Sequence, residues 1–314
     1  MGKNSFRWQE NPDNNENLNT IIGKLLSNSE MSFNLDETKS PYYENINITK
    51  VYDKNQNYTI KEENINYNVF SYHFDKIDIK NENSLLNEDT RSENNGFIII
   101  YEKDNKVNYI IDKYSGSLSI LRNYLNYTGK EEIIDNKINV TSDFIIWLIN
   151  KVYNGSNSYE PDGDETNENQ ISIDSVIGFK GDTDDNISKL TADGDTVMKL
   201  MSSLTFLLES KNMVFIKLKI KTLNHRSIVF KLHLNGSVNI EINNYKGKFR
   251  NEYDDERIVF NLFLLIYLEI LPILNTWYNE EKNNMQWNDD KYDEFLSTLS
   301  DDIIERIDSA RSPN

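Results

Sequence analysis

Three runs between residues 213 and 243 alternate so strictly that they leave the chain little choice of fold. In MVFIKLKIK, residues Val214, Ile216, Leu218 and Ile220 fall on one side and Lys217, Lys219 and Lys221 on the other. That is the period of a strand with one face in a core and one in water. RSIVFKLHL repeats the pattern with Ile228, Phe230, Leu232 and Leu234 against Lys231 and His233. VNIEINN repeats it again with Val238, Ile240 and Ile242 against Asn239, Glu241 and Asn243. Asn235-Gly236, between the last two runs, is the residue pair that tight hairpin turns favour. The expectation is an antiparallel meander, apolar on one face and lysine-bearing on the other.

An apolar sheet face needs a cover, and the sequence offers helices on both sides of the meander. Upstream, ISIDSVIGF reads as a strand and GDTDDN as an acidic loop. The spacing then predicts a helix that starts near Asp193 or Asp195 and turns Val197, Leu200, Met201, Leu204 and Leu208 inward. Downstream, DDERIVFNLFLLIYLEILPILNTWYNEE predicts a long helix kinked at Pro272. Its apolar run from Ile258 to Leu274 includes Asn261 and Glu269 and is short of the roughly 20 residues a membrane span needs. It reads as a buried core or interface helix. WNDDKYDEFLSTL and SDDIIERIDSA read as two small closing helices, the second starting at Ser300.

The first half carries its own set of elements. NLNTIIGKLLSN spaces Leu18, Ile21, Ile22, Leu25 and Leu26 along a helix weakened by Gly23. NYNVFSYHFDKIDI alternates with a phase slip near Ser71, the signature of a bulge or a bent edge strand. His73 lies in that run and reads as a packing residue. GFIIIYEKDNKVNYIIDKYSG predicts a hairpin turning at Lys103 to Lys106. SLSILRNYL and TSDFIIWLINKVY follow as helices, the latter capped by Thr141 or Ser142.

NGSNSYEPDGDETNEN interrupts every periodicity. It divides the chain into an N-terminal α+β domain (1–154), an acidic linker (155–170) and a C-terminal α+β domain (171–314). The expected fold class is α+β in two lobes, each a mainly antiparallel sheet packed by helices, with C-terminal order β-α-β-β-β-α-α.

Composition narrows the chemistry. The 314 residues contain no cysteine, which excludes disulfides, thiolate nucleophiles and sulfur-ligated zinc, and which fits a reducing cytoplasm. The opening residues lack an apolar stretch and read as a flexible lead-in. A net charge of −17 argues against wholesale nucleic-acid binding, although a local basic patch is compatible with it. The abundance of Asn, Lys, Ile and Tyr suggests an AT-rich, bacterial coding sequence. No nucleophile elbow, phosphate loop, zinc-protease or dinucleotide motif occurs, and His73, His225 and His233 are the whole histidine stock.

Two places could carry function. Asp182, Asp184, Asp185, Asp193 and Asp195 gather oxygen donors suited to a hard cation, magnesium or calcium. Against the calcium-loop template, Asp182, Asp184 and Asn186 match. Ile187 replaces the required glycine and Asp193 the final glutamate, so the template fails at the turn and at the bidentate ligand. A solvated loop with a helix cap is the plainer account. The second place is the strip of Lys217, Lys219, Lys221, Lys231 and His233, which could receive phosphates or an acidic partner. Solubility of an exposed sheet face explains the same lysines.

The function expected from these features is that of a non-catalytic interaction or regulatory subunit of a bacterial cytosolic protein complex, in the setting of phage or plasmid conflict. Its partner would be another protein subunit, in a hetero- or homo-oligomer, with nucleic acid disfavoured and no membrane. Anion or nucleic-acid backbone binding through the lysine strip is one alternative. A divalent-metal-dependent hydrolase using residues 182–195 is the other.

Overall fold

The computed structural model describes residues 3–27, 32–60, 63–79, 89–112, 116–129, 131–161, 170–182, 189–193, 201–209 and 212–311. The fold is α+β, in two compact units that divide after Lys137.

In the N-terminal unit the chain runs β1 (Lys3–Glu10), α1 (Leu18–Ser27), β2 (Tyr42–Lys50), β3 (Gln56–Ile60), β4 (Glu63–Asp78), β5 (Thr90–Lys103), β6 (Lys106–Ile111), α2 (Ser117–Leu125) and β7 (Ile133–Asp135). The strands form an antiparallel sheet in the order β1-β6-β5-β4-β2, with β3 extending β4 and β7 pairing β1. Helices α1 and α2 cover one face, where Ile21, Leu25, Leu121 and Tyr124 meet Phe70, Tyr72, Ile98 and Tyr109. The β5–β6 hairpin turns where the sequence places it. Lys103 pairs with Lys106, and Asp104 and Asn105 take φ of 52° and 57°, the two left-handed residues a two-residue turn demands.

The phase slip at Ser71 has a cause other than a bulge. The β4–β5 ladder is in unbroken register from Asn66↔Glu102 to Asp78↔Thr90. The strand instead uses both faces: Ile65, Tyr67 and Val69 are buried on one side, Phe70, Tyr72 and Phe74 on the other, and Asp75 and Ile77 are buried on the first side again. A 16-residue strand is long enough to serve two apolar surfaces.

The C-terminal unit contains α3 (Ser142–Tyr153), β8 (Ser158–Tyr159), β9 (Ile171–Asp182), β10 (Lys189–Asp193), α4 (Met201–Glu209), β11 (Asn212–Thr222), β12 (His225–His233), β13 (Val238–Ile240), β14 (Lys246–Gly247), α5 (Phe249–Glu252), α6 (Asp255–Leu265), a π-helical turn (Ile266–Ile270), α7 (Leu271–Asn283) and α8 (Asp289–Arg311). Its sheet runs β10-β9-β11-β12-β13, with β8 on β9 and β14 on β12. The expected meander is present, and of its apolar set Ile216, Leu218, Ile220, Ile228, Phe230, Leu232, Val238 and Ile240 are fully buried, while Val214, Leu234 and Ile242, at the strand ends, are only partly so.

Several elements differ from the sequence reading. Helix α3, grouped above with the N-terminal lobe, packs on β9 and β11 of the C-terminal unit. Ser158 and Tyr159 pair with Ser172 and Ile171, so the residues on either side of the acidic stretch belong to one sheet of that unit, while 162–169 lie outside the described residues. Residues 189–193 form a strand against β9 where the sequence reading runs the acidic loop up to a helix start near Asp193 or Asp195, because Leu190 and Thr191 extend the β9 ladder; Asp195, Val197 and Leu200 lie outside the described residues. Helix α4 buries Leu204, Phe206 and Leu207, and Met201 is exposed.

Where the sequence predicts a kink at Pro272, a π-helical turn precedes the proline. Proline lacks an N–H for the carbonyl four residues back and crowds that carbonyl. The ladder widens accordingly, and the Leu271 N–H bonds Ile266 O, five residues earlier. The whole stretch Asp255–Asn283 is long and apolar enough to cross a membrane by length and composition, yet 78% of its most apolar window is buried within the protein, so it serves as a core helix. Finally, α8 is continuous where two helices were expected. Ser300 signals a helix start, but no glycine or proline stands beside it to end the preceding helix.

Candidate anion-binding face

The outer face of the C-terminal sheet is built by the same alternation that fills its core. Lys217, Lys219 and Lys221 project from β11 on the side opposite Ile216, Leu218 and Ile220, and Lys231 and His233 lie beside them on β12. The face is less open than a row of solubilising lysines would be. Lys217 keeps 11% of its side chain exposed and pairs with Glu241 at 2.9 Å. Lys219 pairs with Asp174 at 2.8 Å, and Lys221 reaches the other oxygen of the same carboxylate. Burial pushes the Asp174 carboxyl up, but the bonds and charges of Lys219 and Lys221 outweigh it and leave its pKa below the usual range. Three of the four lysines of the expected strip are thus compensated.

Lys231 is held differently. Its ammonium stands over the ring of Phe215 at 4.6 Å, a cation–π contact, and the His233 ring lies 5.4 Å from the same ring. His233 is pushed down to about 4, chiefly by burial and then by the charges of Lys231 and Lys180, so it is a neutral imidazole at pH 7. Lys180, on β9, pairs directly with Phe215 in the ladder. Neither Lys180 nor Lys231 has a carboxylate partner among the described residues.

The basic character continues past the end of the β11–β12 hairpin. Lys246 pairs with Ser227, and the Lys248 N–H bonds Asn224 O at 3.1 Å, which draws the segment across β12. Beneath it His225 is buried, accepting at Nδ1 from the Tyr245 hydroxyl at 2.8 Å, and that hydroxyl accepts from the Phe249 N–H at 3.1 Å. Gly247 leaves room for this contact: a Cβ there would stand 2.6 Å from the Tyr245 hydroxyl oxygen and 2.7 Å from His225 Nδ1. Arg226, Lys246 and Lys248 are exposed and likewise lack carboxylate partners among the described residues.

Of the residues named from sequence, Lys217, Lys219, Lys221, Lys231 and His233 do share this face. Lys180 and Phe215 were missed. Phe215 has the parity of the lysines, so the alternation read one step further back would have found it. Lys180 was hidden because the strand was read as ending at Phe179, one residue short of it.

The acidic candidates fare differently. Asp182 pairs with Lys189 and Asp193 with Gly178, so the β9–β10 ladder puts these two aspartates at opposite ends, about 13 Å apart along the strand. Asp184, Asp185 and Asp195 lie outside the described residues. Among the described residues no three His, Asp or Glu side chains converge to hold a metal ion. Compared with known proteins, the chain matches no family model and no curated protein sequence.

Proposed function

We propose that the protein acts by binding, as a non-catalytic interaction subunit, and that the outer face of its C-terminal sheet receives an acidic partner. One observation carries the reading: among the described residues, Lys180, Lys231, Arg226, Lys246 and Lys248 have no carboxylate partner, on one lobe of a chain whose net charge is −17. Random surface pairing on so acidic a chain would neutralise exposed cations first. Cations kept free beside a covered aromatic ring make a patch of opposite sign, which steers an anionic partner and holds it in register. Phe215 lies under Lys231 and is buried, so it offers no platform for stacking bases, and an acidic protein surface suits the face better than single-stranded nucleic acid.

The test is binding of an acidic polypeptide, polyglutamate, and separately of a DNA duplex, at rising salt. The reading expects retention of polyglutamate at low salt that Lys180→Glu combined with Lys231→Glu abolishes. Equal retention by the double variant would remove the proposal, and retention of DNA alone would turn it toward phosphate backbones.

A further inference from the structure

The outer face of the N-terminal sheet holds a buried carboxylate oxygen with no hydrogen-bond donor among the described residues. His73 and Asp75 lie two apart on β4 and so share a face. The neighbouring strands bring Asn45 and Glu44 from β2, and Arg91, Glu93 and Asn95 from β5. Asp75 keeps 4% of its side chain exposed. Its Oδ2 accepts from Asn45 Nδ2 at 2.7 Å and from the Arg91 guanidinium. A register shift in β2 between Glu44 and Asn47, with Asn45 at a φ of 52°, turns that amide toward it. Its Oδ1 is buried and receives no hydrogen bond from the described residues.

His73 Nε2 faces that oxygen at 3.6 Å, beyond hydrogen-bond length. The other ring nitrogen, Nδ1, lies 2.6 Å from Asn95 Oδ1. An amide oxygen only accepts, so Nδ1 carries a ring proton, and in the neutral ring Nε2 presents a lone pair to Asp75. Two acceptors therefore look at each other across a gap, at a depth where an unmet carboxylate oxygen is costly.

We propose that this gap is a site for a divalent transition ion of the zinc class, bound by His73 Nε2 and Asp75 Oδ1. Zinc bonds of about 2.0–2.1 Å at a tetrahedral angle set two such donors about 3.3 Å apart, a few tenths of an ångström inside the observed separation. Imidazole with carboxylate selects zinc, nickel or copper over magnesium and calcium. Asn95 fixes the ring and its tautomer, as the outer partner of a metal-bound histidine does. Arg91 occupies Oδ2, the oxygen turned away from the ion. Asp75, Glu44 and Glu93 against Arg91 leave the face negative, as a dication requires. Glu93 stands directly across from Asp75 in the ladder and reaches the ion by rotating its side chain, with water completing the set.

The experiment is calorimetric titration of the untagged, chelator-treated chain with zinc chloride and with magnesium chloride, alongside thermal unfolding with and without zinc. One equivalent of zinc is expected to bind, magnesium to give no signal, and zinc to raise the midpoint of unfolding. His73→Ala and Asp75→Asn should each weaken zinc binding at least tenfold and remove the shift in midpoint, while His233→Asn should keep both. His73 is partly exposed, so its variant reports even if Asp75→Asn loses stability through Arg91. Absence of zinc binding below 1 mM, or binding undiminished in both variants, overturns the assignment.

Discussion

Glu281 and Trp147, separated by 134 residues in the chain, are joined by a 2.8 Å hydrogen bond from the indole Nε1–H to carboxylate Oε2. The other oxygen, Oε1, accepts from the indole of Trp277 at 2.8 Å and contacts the ammonium of Lys151. That ammonium also lies over the rings of Trp147 and Trp277, and Tyr159 stacks on Trp277. One buried carboxylate thus ties α3 to α7, which is why α3 belongs with the C-terminal unit.

Removing that carboxylate strands a cation. Lys151 keeps only 12% of its side chain exposed, and an uncompensated buried charge costs about 3–5 kcal/mol. Glu281→Ala is expected to lower stability by that amount in urea unfolding, and Glu281→Ala with Lys151→Met to recover a part of it. A loss under about 1 kcal/mol would show that the knot contributes little.

The isolated glycine of α1 works the other way. Gly23 is exposed in the middle of the helix, and a Cβ there would meet nothing within 4 Å. Gly23→Ala should stabilise the N-terminal unit by about 0.5–1 kcal/mol, since alanine loses less backbone entropy and clashes with nothing. A lower unfolding midpoint in the variant would contradict the exposed placement of this face.

His225 makes stability depend on pH. Burial, and then the charge of Lys248, push it down to about 4 from an ordinary 6.5. The unfolded chain takes up a proton near pH 6.5 and the folded chain only near pH 4, so the stabilisation is complete above pH 6.5 and is lost as pH falls toward 4. The gap amounts to about 3 kcal/mol. The stability difference between the parent and His225→Gln should shrink steadily across that window. A difference that stays constant with pH would remove burial of the neutral ring as the cause. Gly247→Ala, whose Cβ collides with the same His225–Tyr245 contact, should destabilise at every pH.

How much of this was visible in the residues varies by element. Ile216, Leu218 and Ile220 against three lysines, and Asp104-Asn105 between two apolar runs, declare their conformations locally, because period and turn chemistry are properties of neighbours in sequence. The Asn235-Gly236 turn was located correctly but differs in kind. Of its two residues only Gly236, at a φ of 75°, is left-handed, and the Gly236 N–H bonds His233 O. Strand β10 was hidden because Leu190 and Thr191 make too short a run to alternate, and only pairing with β9 makes them a strand. The allegiance of α3 was hidden because it rests on Glu281, far along the chain. The ion pairs that neutralise Lys217, Lys219 and Lys221 depend on cross-strand register, which spacing within one strand does not encode. The His73–Asp75 gap was hidden for the same reason, since Asn95 and Arg91 reach it from another strand.

We assign to an acidic partner the lysines of the C-terminal sheet that have no carboxylate partner among the described residues. Limited acetylation of the protein with and without polyglutamate, read by peptide mass spectrometry, tests this assignment directly. Lys180, Lys231, Lys246 and Lys248 are predicted to lose reactivity on addition of polyglutamate, with Lys217, already held by Glu241, slow in both states. Protection confined to lysines of the N-terminal unit, or none anywhere, would contradict it.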